Sequence, residues 1–314
     1  MKIAFLPCFT VLLSSWICPV DLQGEDAPVW HTDYRAAVDE ARAEKKKLFI
    51  VFTGVEWIDI CRTFQDDILG KEEFMDTVSA RFSLLKLEYP KDNKLPRQEA
   101  VQKSLLRDAY RVKGFPTVVL TDLQGRPFGL NGFQPLSAEE YAQQILDIDL
   151  IHEEKLAALT EAKTLEGVAK AKRMSEGLPD LPGNLLARYY RTELEEIIAS
   201  DVDDSLKVGS GFKRLIVDLE YSQKMEELAR SSKWLEMEQL SDRYIADNKL
   251  EGAALQKALL NKAGVLGLQK KTEELRNTLD RVLVIDPTSD PGMRAKKMIE
   301  EIKAGKTTEA PAEQ

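Results

Sequence analysis

The chain has 314 residues, of which 43% are hydrophobic and 31% are charged, and its formal net charge at pH 7 is −9. The length accommodates two domains, or one domain with an extension, and the composition is typical of a globular protein. The acidic balance argues against a surface that binds nucleic acid or anionic membranes, because both require clustered positive charge.

The first element is an apolar N-terminal segment that resembles a secretory signal peptide. Lys2 provides a positive charge, an apolar run follows to about Val20, and we expect cleavage near Gly24, so that the leader covers residues 1–24. The alternative is a membrane anchor, but the run is short, Pro7 interrupts it and no basic cluster follows. We therefore predict an exported protein, periplasmic or secreted, that contacts a membrane only if the segment stays uncleaved.

The cysteine count changes if this leader is removed. The chain has three cysteines, Cys8, Cys18 and Cys61, and two of them lie in the leader. The mature protein would then contain Cys61 alone and form no disulfide within the chain. In an oxidising compartment such a thiol is either buried or used between chains.

Helices and strands alternate over residues 28–150. The periodicity predicts, in order, a helix, a strand, a helix, a strand, a helix, a β-hairpin and a helix. The strands are predicted at 48–54, at 81–90 and on both sides of Gln124-Gly125. The last three helices are predicted at 58–69, 99–112 and 137–150. Ser137 and Glu140 have the spacing of a capping box at the start of the last helix. This order predicts an α/β fold in which helices flank a mixed sheet.

Residues 151–303 have helical periodicity and no strand pattern. Apolar stripes mark four helices, at Leu194, Trp234, Leu255 and Leu275, and a last helix restarts at Asp290-Pro291. The offset between the final helical pairs suits stacked helical hairpins. We predict an all-helical domain over 151–303 that provides a second interaction surface, and a disordered tail over 304–314.

Two motifs in the first region resemble hallmarks of the thioredoxin superfamily. Phe52 to Trp57 read FTGVEW, which is similar to the F-T-G-x-x-W-C-x-x-C active site of exported thioredoxin-like proteins. The stretch VKGFPTVVLTDLQG at 112–125 contains Pro116, which resembles the proline that is cis in the family and faces its active site. The resemblance covers about residues 28–150 and implies a thioredoxin-like α/β fold there.

The resemblance breaks at the residue that would perform the chemistry. Ile58 occupies the place of the family's first cysteine, which is its nucleophile, and Cys61 occupies the place of the second. The family's nucleophile lies at a helix N-terminus, where the macrodipole stabilises the thiolate, whereas isoleucine has no ionisable group. Phe52 also replaces the buried acid that many thioredoxins carry six positions before the first cysteine. The degenerate motif predicts that dithiol redox chemistry has been lost.

Three hypotheses about function follow. The first is a non-redox module that binds or scaffolds protein or peptide clients, with a groove that the resemblance places at Trp57, Ile58, Phe115 and Pro116. The second is a monothiol oxidoreductase or disulfide isomerase acting through Cys61, the one candidate catalytic residue. The third is a structural dimer bridged by Cys61.

The remaining candidate signals indicate neither a cofactor nor a metal. His31 and His152 are far apart in sequence and lack partners at metal-ligand spacing, and we expect His152 on a helix surface. The acidic stretch 201–212 begins like a calcium loop, but Leu206 and Phe212 stand where Gly and a bidentate Glu are required. We therefore expect no cofactor, no metal ion and no nucleic-acid partner.

Overall fold

The computed structural model of this chain describes residues 29–92 and 94–304. The expected leader with Cys8 and Cys18, and the expected disordered tail beyond Ala304, lie outside the described residues. Among the helices in these two ranges, none combines the length and apolarity needed to cross a membrane.

A mixed four-stranded sheet forms the centre of the first region. The strands are β1 (Lys47–Thr53), β2 (Phe82–Glu88), β3 (Thr117–Thr121) and β4 (Pro127–Asn131), in the spatial order β2-β1-β3-β4. β1 pairs with β2 in parallel and with β3 antiparallel, and β3 and β4 form the predicted hairpin. From its second residue onward β1 is buried at every position, as expected for a strand covered on both faces. The predicted α/β fold class is confirmed.

Five helices accompany the sheet in the first region. They are α1 (Tyr34–Glu44), α2 (Asp59–Phe64), α3 (Glu72–Ser79), α4 (Arg97–Ala109) and α5 (Ala138–Ala162). The predicted capping box is present, because Ser137 accepts a hydrogen bond from the Glu140 N–H and the Glu140 carboxylate accepts one from the Ser137 N–H. The helix predicted at 58–69 is wrong in part: it is α2 followed by a π-helical turn (Gln65–Leu69). This turn breaks the 3.6-residue period, and the apolar pattern did not predict α3 beyond it.

Two apolar clusters cover the two faces of the sheet. Phe49 and Val51 point into one cluster with side chains of α2, α3 and α5, and Ile50 and Phe52 point into the other with side chains of α1. This division follows from the strand geometry, because successive side chains of β1 point to opposite faces. The strand from which the next loop starts is thereby held between two packed layers.

Helix α5 runs through the predicted domain boundary without a break. Its 25 residues extend from Ala138 to Ala162, so the predicted end of this helix at residue 150 is wrong. The helix continues because Ala158 and Ala162 are buried, and Ala162 packs into the core of the following helices. The division into domains at 28–150 and 151–303 stays a prediction, and its boundary lies inside a continuous helix.

The remainder of the described chain is helical, as predicted. Its helices are α6 (Gly167–Glu176), α7 (Gly183–Tyr189), α8 (Arg191–Ser200), α9 (Gly209–Arg230), α10 (Trp234–Asp247), α11 (Gly252–Leu268), α12 (Thr272–Ile285) and α13 (Asp290–Lys303). One apolar cluster contains side chains of α6, α7, α8 and α9, and another contains side chains of α11, α12 and α13. Helical repeats in this region stay a prediction.

The junction of α7 and α8 is attached to the thioredoxin-like region by polar and aromatic contacts. The Tyr190 hydroxyl donates to the carbonyl of Pro127, the first residue of β4, at 3.0 Å. The Arg126 guanidinium lies 4.1 Å from the centre of the Tyr190 ring and forms an ion pair of 2.5 Å with Glu193. These contacts fix the helical region against the β3–β4 hairpin.

His152 is buried on α5, and the expectation that it lies on a helix surface is wrong. It is 4% exposed, and its ring stacks on Phe128 with 3.8 Å between centroids. Burial, followed by the positive charge of Lys47, lowers the pKa of His152 to about 4, although Asp149 and Glu153 oppose this shift. The folded protein therefore holds this imidazole in its neutral form.

We expect acid to destabilise the fold through His152. Between pH 6.5 and about 4, the unfolded chain binds a proton at this position that the folded chain does not bind. The free energy of unfolding therefore falls as the pH falls through this window. The loss between about pH 7.5 and about pH 4.5 should be smaller by about 2.5 kcal/mol in His152→Phe than in the wild type, as measured by urea unfolding. Equal losses in the two proteins would contradict the assignment.

Candidate functional site

The loop after β1 begins at a glycine over which two large side chains fold back. The N–H groups of Trp57 and Ile58 donate to the Gly54 carbonyl at 3.2 and 2.9 Å. A Cβ atom at Gly54 would lie 2.8 Å from the Trp57 indole nitrogen and 3.2 Å from Cδ1 of Ile58. A larger residue at this position would therefore press on both side chains, and most closely on the Trp57 indole.

Ile58 and Cys61 lie one helical turn apart at the start of α2. Ile58 is the N-cap residue and provides no side-chain cap, and its carbonyl accepts the N–H of Cys61 at 3.0 Å. Cys61 is the third residue of α2 and is 1% exposed. Across the described ranges it is the one free cysteine. The N-cap of α2 thus carries an aliphatic side chain, and the Cys61 thiol one turn later is buried.

The two charged residues beside Cys61 pair with each other at the surface. Arg62 and Asp59 form an ion pair of 3.2 Å, and their side chains are 50% and 95% exposed. An ion pair exposed to this degree is screened by solvent and contributes little to the stability of the fold. The helix start consequently gives the Cys61 thiol no buried charged partner from these residues.

The structure brings the two thioredoxin-like motifs together through their aromatic residues. The ring of Trp57 meets that of Phe115 edge to face, with centroids 6.5 Å apart. The peptide bond between Phe115 and Pro116 is cis. Trp57 is 43% exposed and Ile60, on the next turn, is 45% exposed, whereas Ile58, Phe115 and Pro116 are half-buried. We call the surface of Trp57, Ile58, Phe115 and Pro116 the groove.

Tyr89 supports the groove and was missed by the sequence analysis. Its carbonyl accepts the Trp57 indole N–H at 2.7 Å, and its ring stacks on Phe115 with 4.7 Å between centroids. It follows directly after β2, and β1 and β2 are parallel, so both strands end at this edge of the sheet. Sites in α/β folds commonly form at the carboxyl ends of parallel strands, and that rule identifies the position.

Glu88 places a carboxyl group next to the loop after β1, and the sequence analysis did not predict it. Its Oε1 atom is buried and has no hydrogen-bond partner among the residues that the structure describes. Burial raises the pKa of Glu88, while the backbone N–H groups of Val55 and Glu56 partly oppose the shift. The resemblance places the expected acid at position 52, but Phe52 is apolar and buried. The acid lies instead at position 88, at the end of the neighbouring strand β2.

Comparison with known proteins agrees with the motifs. The family described as "Thioredoxin-like domain" matches residues 34–148, a range that includes both motifs. Over 112 residues the chain is 27% identical to "Disulfide bond reductase DsbH" of Chlamydia pneumoniae, covering 36% of this chain and 68% of the relative. It is 25% identical over 101 residues to "Thioredoxin-related protein DsbJ" of the same organism, covering 32% and 29%. The solved structure "DsbH Oxidoreductase" matches at 26% identity and a TM-score of 0.37, over 38% of this chain and 83% of that one.

A second cysteine placed at position 58 should form a disulfide with Cys61. The N-cap and the third residue of α2 lie one turn apart, which is the arrangement of a C-x-x-C motif at a helix start. We expect Ile58→Cys, in a chain that also carries Cys8→Ser and Cys18→Ser, to lose both free thiols under mild oxidant. Thiol titration after denaturation, together with mass spectrometry, measures this outcome.

Thr63→Cys is the matched control for that experiment. Thr63 is exposed on α2, two residues after Cys61, and residues two apart on a helix do not face each other. This variant should keep two thiols in the monomer under the same oxidant. Two persistent thiols in Ile58→Cys as well would show that the loop departs from C-x-x-C geometry.

Proposed function

Because this chain is a member of the thioredoxin superfamily through residues 34–148, we propose that it binds polypeptide segments at the groove without dithiol redox chemistry. The observation that carries the proposal is the start of α2, where Ile58 holds the N-cap and Cys61 is 1% exposed. A dithiol mechanism needs an accessible thiolate at the helix N-terminus and a second thiol to resolve the mixed disulfide. The start of α2 provides one thiol, and it is buried.

The groove has the properties of a surface that recognises apolar segments. Trp57 presents an aromatic face that is 43% exposed, and Phe115 forms the wall beside it. Exposed aromatic residues on a fixed support are the side chains that contribute most to protein interfaces. Protein or peptide clients are therefore the proposed partners, and the helical region supplies the proposed second interaction surface.

The alternative function is a monothiol oxidoreductase acting through Cys61. It is favoured by the similarity to a relative named as a disulfide bond reductase. In that reaction the Cys61 thiolate attacks a client disulfide, forms a mixed disulfide and releases the second client sulfur as a thiolate. An external thiol must then attack the Cys61 sulfur of the mixed disulfide, which releases the remaining client sulfur as a thiolate and leaves Cys61 joined to the external sulfur. A second external thiol attacks that external sulfur, which restores the Cys61 thiolate and forms the external disulfide, so two external thiols are oxidised for each client disulfide that is reduced.

A client without thiols separates the two functions. We expect a reduced and carboxymethylated, permanently unfolded protein to bind the wild type, because no mixed disulfide can form with it. Trp57→Ala should weaken this binding roughly tenfold, whereas Val29→Ala, which trims an exposed apolar side chain outside the groove and the helical region, should leave it unchanged. Isothermal titration calorimetry measures both affinities.

The redox alternative is tested with the same proteins in an insulin-reduction assay. We expect turnover at the background rate for the wild type and for Cys61→Ser. Turnover above background that disappears in Cys61→Ser would establish the monothiol reaction and reject the non-redox proposal.

Export is part of the proposed function and depends on residues 1–24. The positive start, the apolar run and the short length are the features of a cleaved leader. Expression of the full chain in a bacterial host, followed by N-terminal sequencing of the periplasmic fraction, should give a mature protein that starts near Gly24. An intact N-terminus in the membrane fraction would instead indicate an anchor.

A further inference from the structure

Helix α4 carries a buried lysine that binds a backbone carbonyl at the edge of the groove. Lys103 is 4% exposed, and its ammonium donates to the Glu88 carbonyl at 2.5 Å and to the Glu99 carboxylate at 2.6 Å. Lysine is almost never fully buried unless it is paired, and an apolar side chain covers a sheet without desolvating a charge. The burial of this ammonium therefore indicates a specific task at the carbonyl that it binds.

That carbonyl belongs to the last residue of β2, immediately before Tyr89. Tyr89 is joined to α4 a second time, because its hydroxyl donates to the Lys103 carbonyl at 2.9 Å. The Lys103 ammonium also lies 5.9 Å from the centre of the Tyr89 ring, within the range of a cation–π attraction. Lys103 and the Glu88-Tyr89 segment thus hold each other by reciprocal contacts.

The two aromatic residues of the groove, Trp57 and Phe115, both contact Tyr89. Trp57 is bound to its carbonyl and Phe115 is stacked on its ring, at the distances given above. The Tyr89 N–H donates to the carbonyl of Thr53 at 2.8 Å, which ties the same residue to the end of β1. A displacement of Tyr89 therefore moves Trp57 and Phe115 together.

We propose that Lys103 is a positioning residue for the groove, which fixes Tyr89 and thereby sets the placement of Trp57 against Phe115. A rigid arrangement of this kind lowers the ordering cost of binding a peptide. The effect on binding rests on the proposed function, whereas the placement of Trp57 is a property of the free protein. The two are measured separately.

The placement is read from the indole N–H resonance of Trp57 in ¹H–¹⁵N spectra of the full chain, assigned with Trp57→Phe. We expect Lys103→Met to displace this resonance, because the hydrogen bond from Trp57 ends on the Tyr89 carbonyl. The Trp30 and Trp234 resonances should stay in place as internal references. Affinity for the carboxymethylated client should fall roughly tenfold, the effect of losing one charge-assisted hydrogen bond behind the site.

Lys47→Met is the matched control. Lys47 is a second lysine in an ion pair, 17% exposed, and it binds Asp149 at 2.5 Å at the opposite end of β1 from the groove. Asp149 retains an ion pair with Arg81 in this variant. Lys47→Met should therefore leave both the Trp57 resonance and the client affinity unchanged.

The outcomes separate this proposal from the proposed function. A folded Lys103→Met protein with an unmoved Trp57 resonance would overturn the positioning role. If Lys103→Met does not fold, Glu99→Gln provides the test, because it weakens the ion pair of Lys103 with the partly exposed Glu99. This variant should move the Trp57 resonance in the same direction but less far. An unmoved resonance in Glu99→Gln then overturns the proposal. Absence of client binding to the wild type rejects the proposed function, while a displaced resonance still supports positioning.

Discussion

The burial of β1 on both faces is the constraint on which the rest of the site depends. A strand covered on both sides has to leave the sheet before its chain can reach the surface, and β1 does so at Gly54, where a Cβ atom would press on the side chains of Trp57 and Ile58. Since β1 and β2 are parallel, the residues that follow β2 arrive at the same edge. Tyr89 is therefore available to bind Trp57, and the aromatic wall at Phe115 packs on a ring that the sheet has already fixed.

Dithiol redox chemistry and recognition require different groups at the start of α2. A nucleophilic thiol benefits from the unpaired N–H groups and the macrodipole at a helix N-terminus, while an isoleucine gains nothing from them and is stabilised by apolar contacts. Ile58 is half-buried over Gly54, and Cys61 is covered by the core. Under the proposed function, the start of α2 contributes apolar contacts rather than a reactive thiolate.

The elements that depend on local patterns could be predicted from the sequence, and those that depend on partners distant in sequence could not. The strands, the hairpin and the capping box of α5 follow from alternation, turn residues and spacing. The π-helical turn after α2 breaks the period on which helix prediction relies. His152 looks like a surface residue because nothing in its neighbourhood along the chain reveals Phe128, its stacking partner. Lys103 was unforeseen for the same reason, since a lysine in a helix is normally solvated.

The helical region bears on the groove through the elements behind it. The Tyr189 hydroxyl donates to the carbonyl of Ala109, the last residue of α4, at 3.2 Å, and the Tyr189 ring stacks on Tyr110 at 5.9 Å. Carbonyls at the end of a helix lack intrahelical partners, so this bond satisfies one of them and fixes the helix end. α4 is the helix that carries Lys103, and the Tyr190 hydroxyl donates to the carbonyl at the start of β4, in the hairpin that follows the cis-proline. The helical region therefore contacts both the end of α4 and the hairpin, so a change in its packing acts on the helix that carries Lys103 and on the strands that follow Pro116.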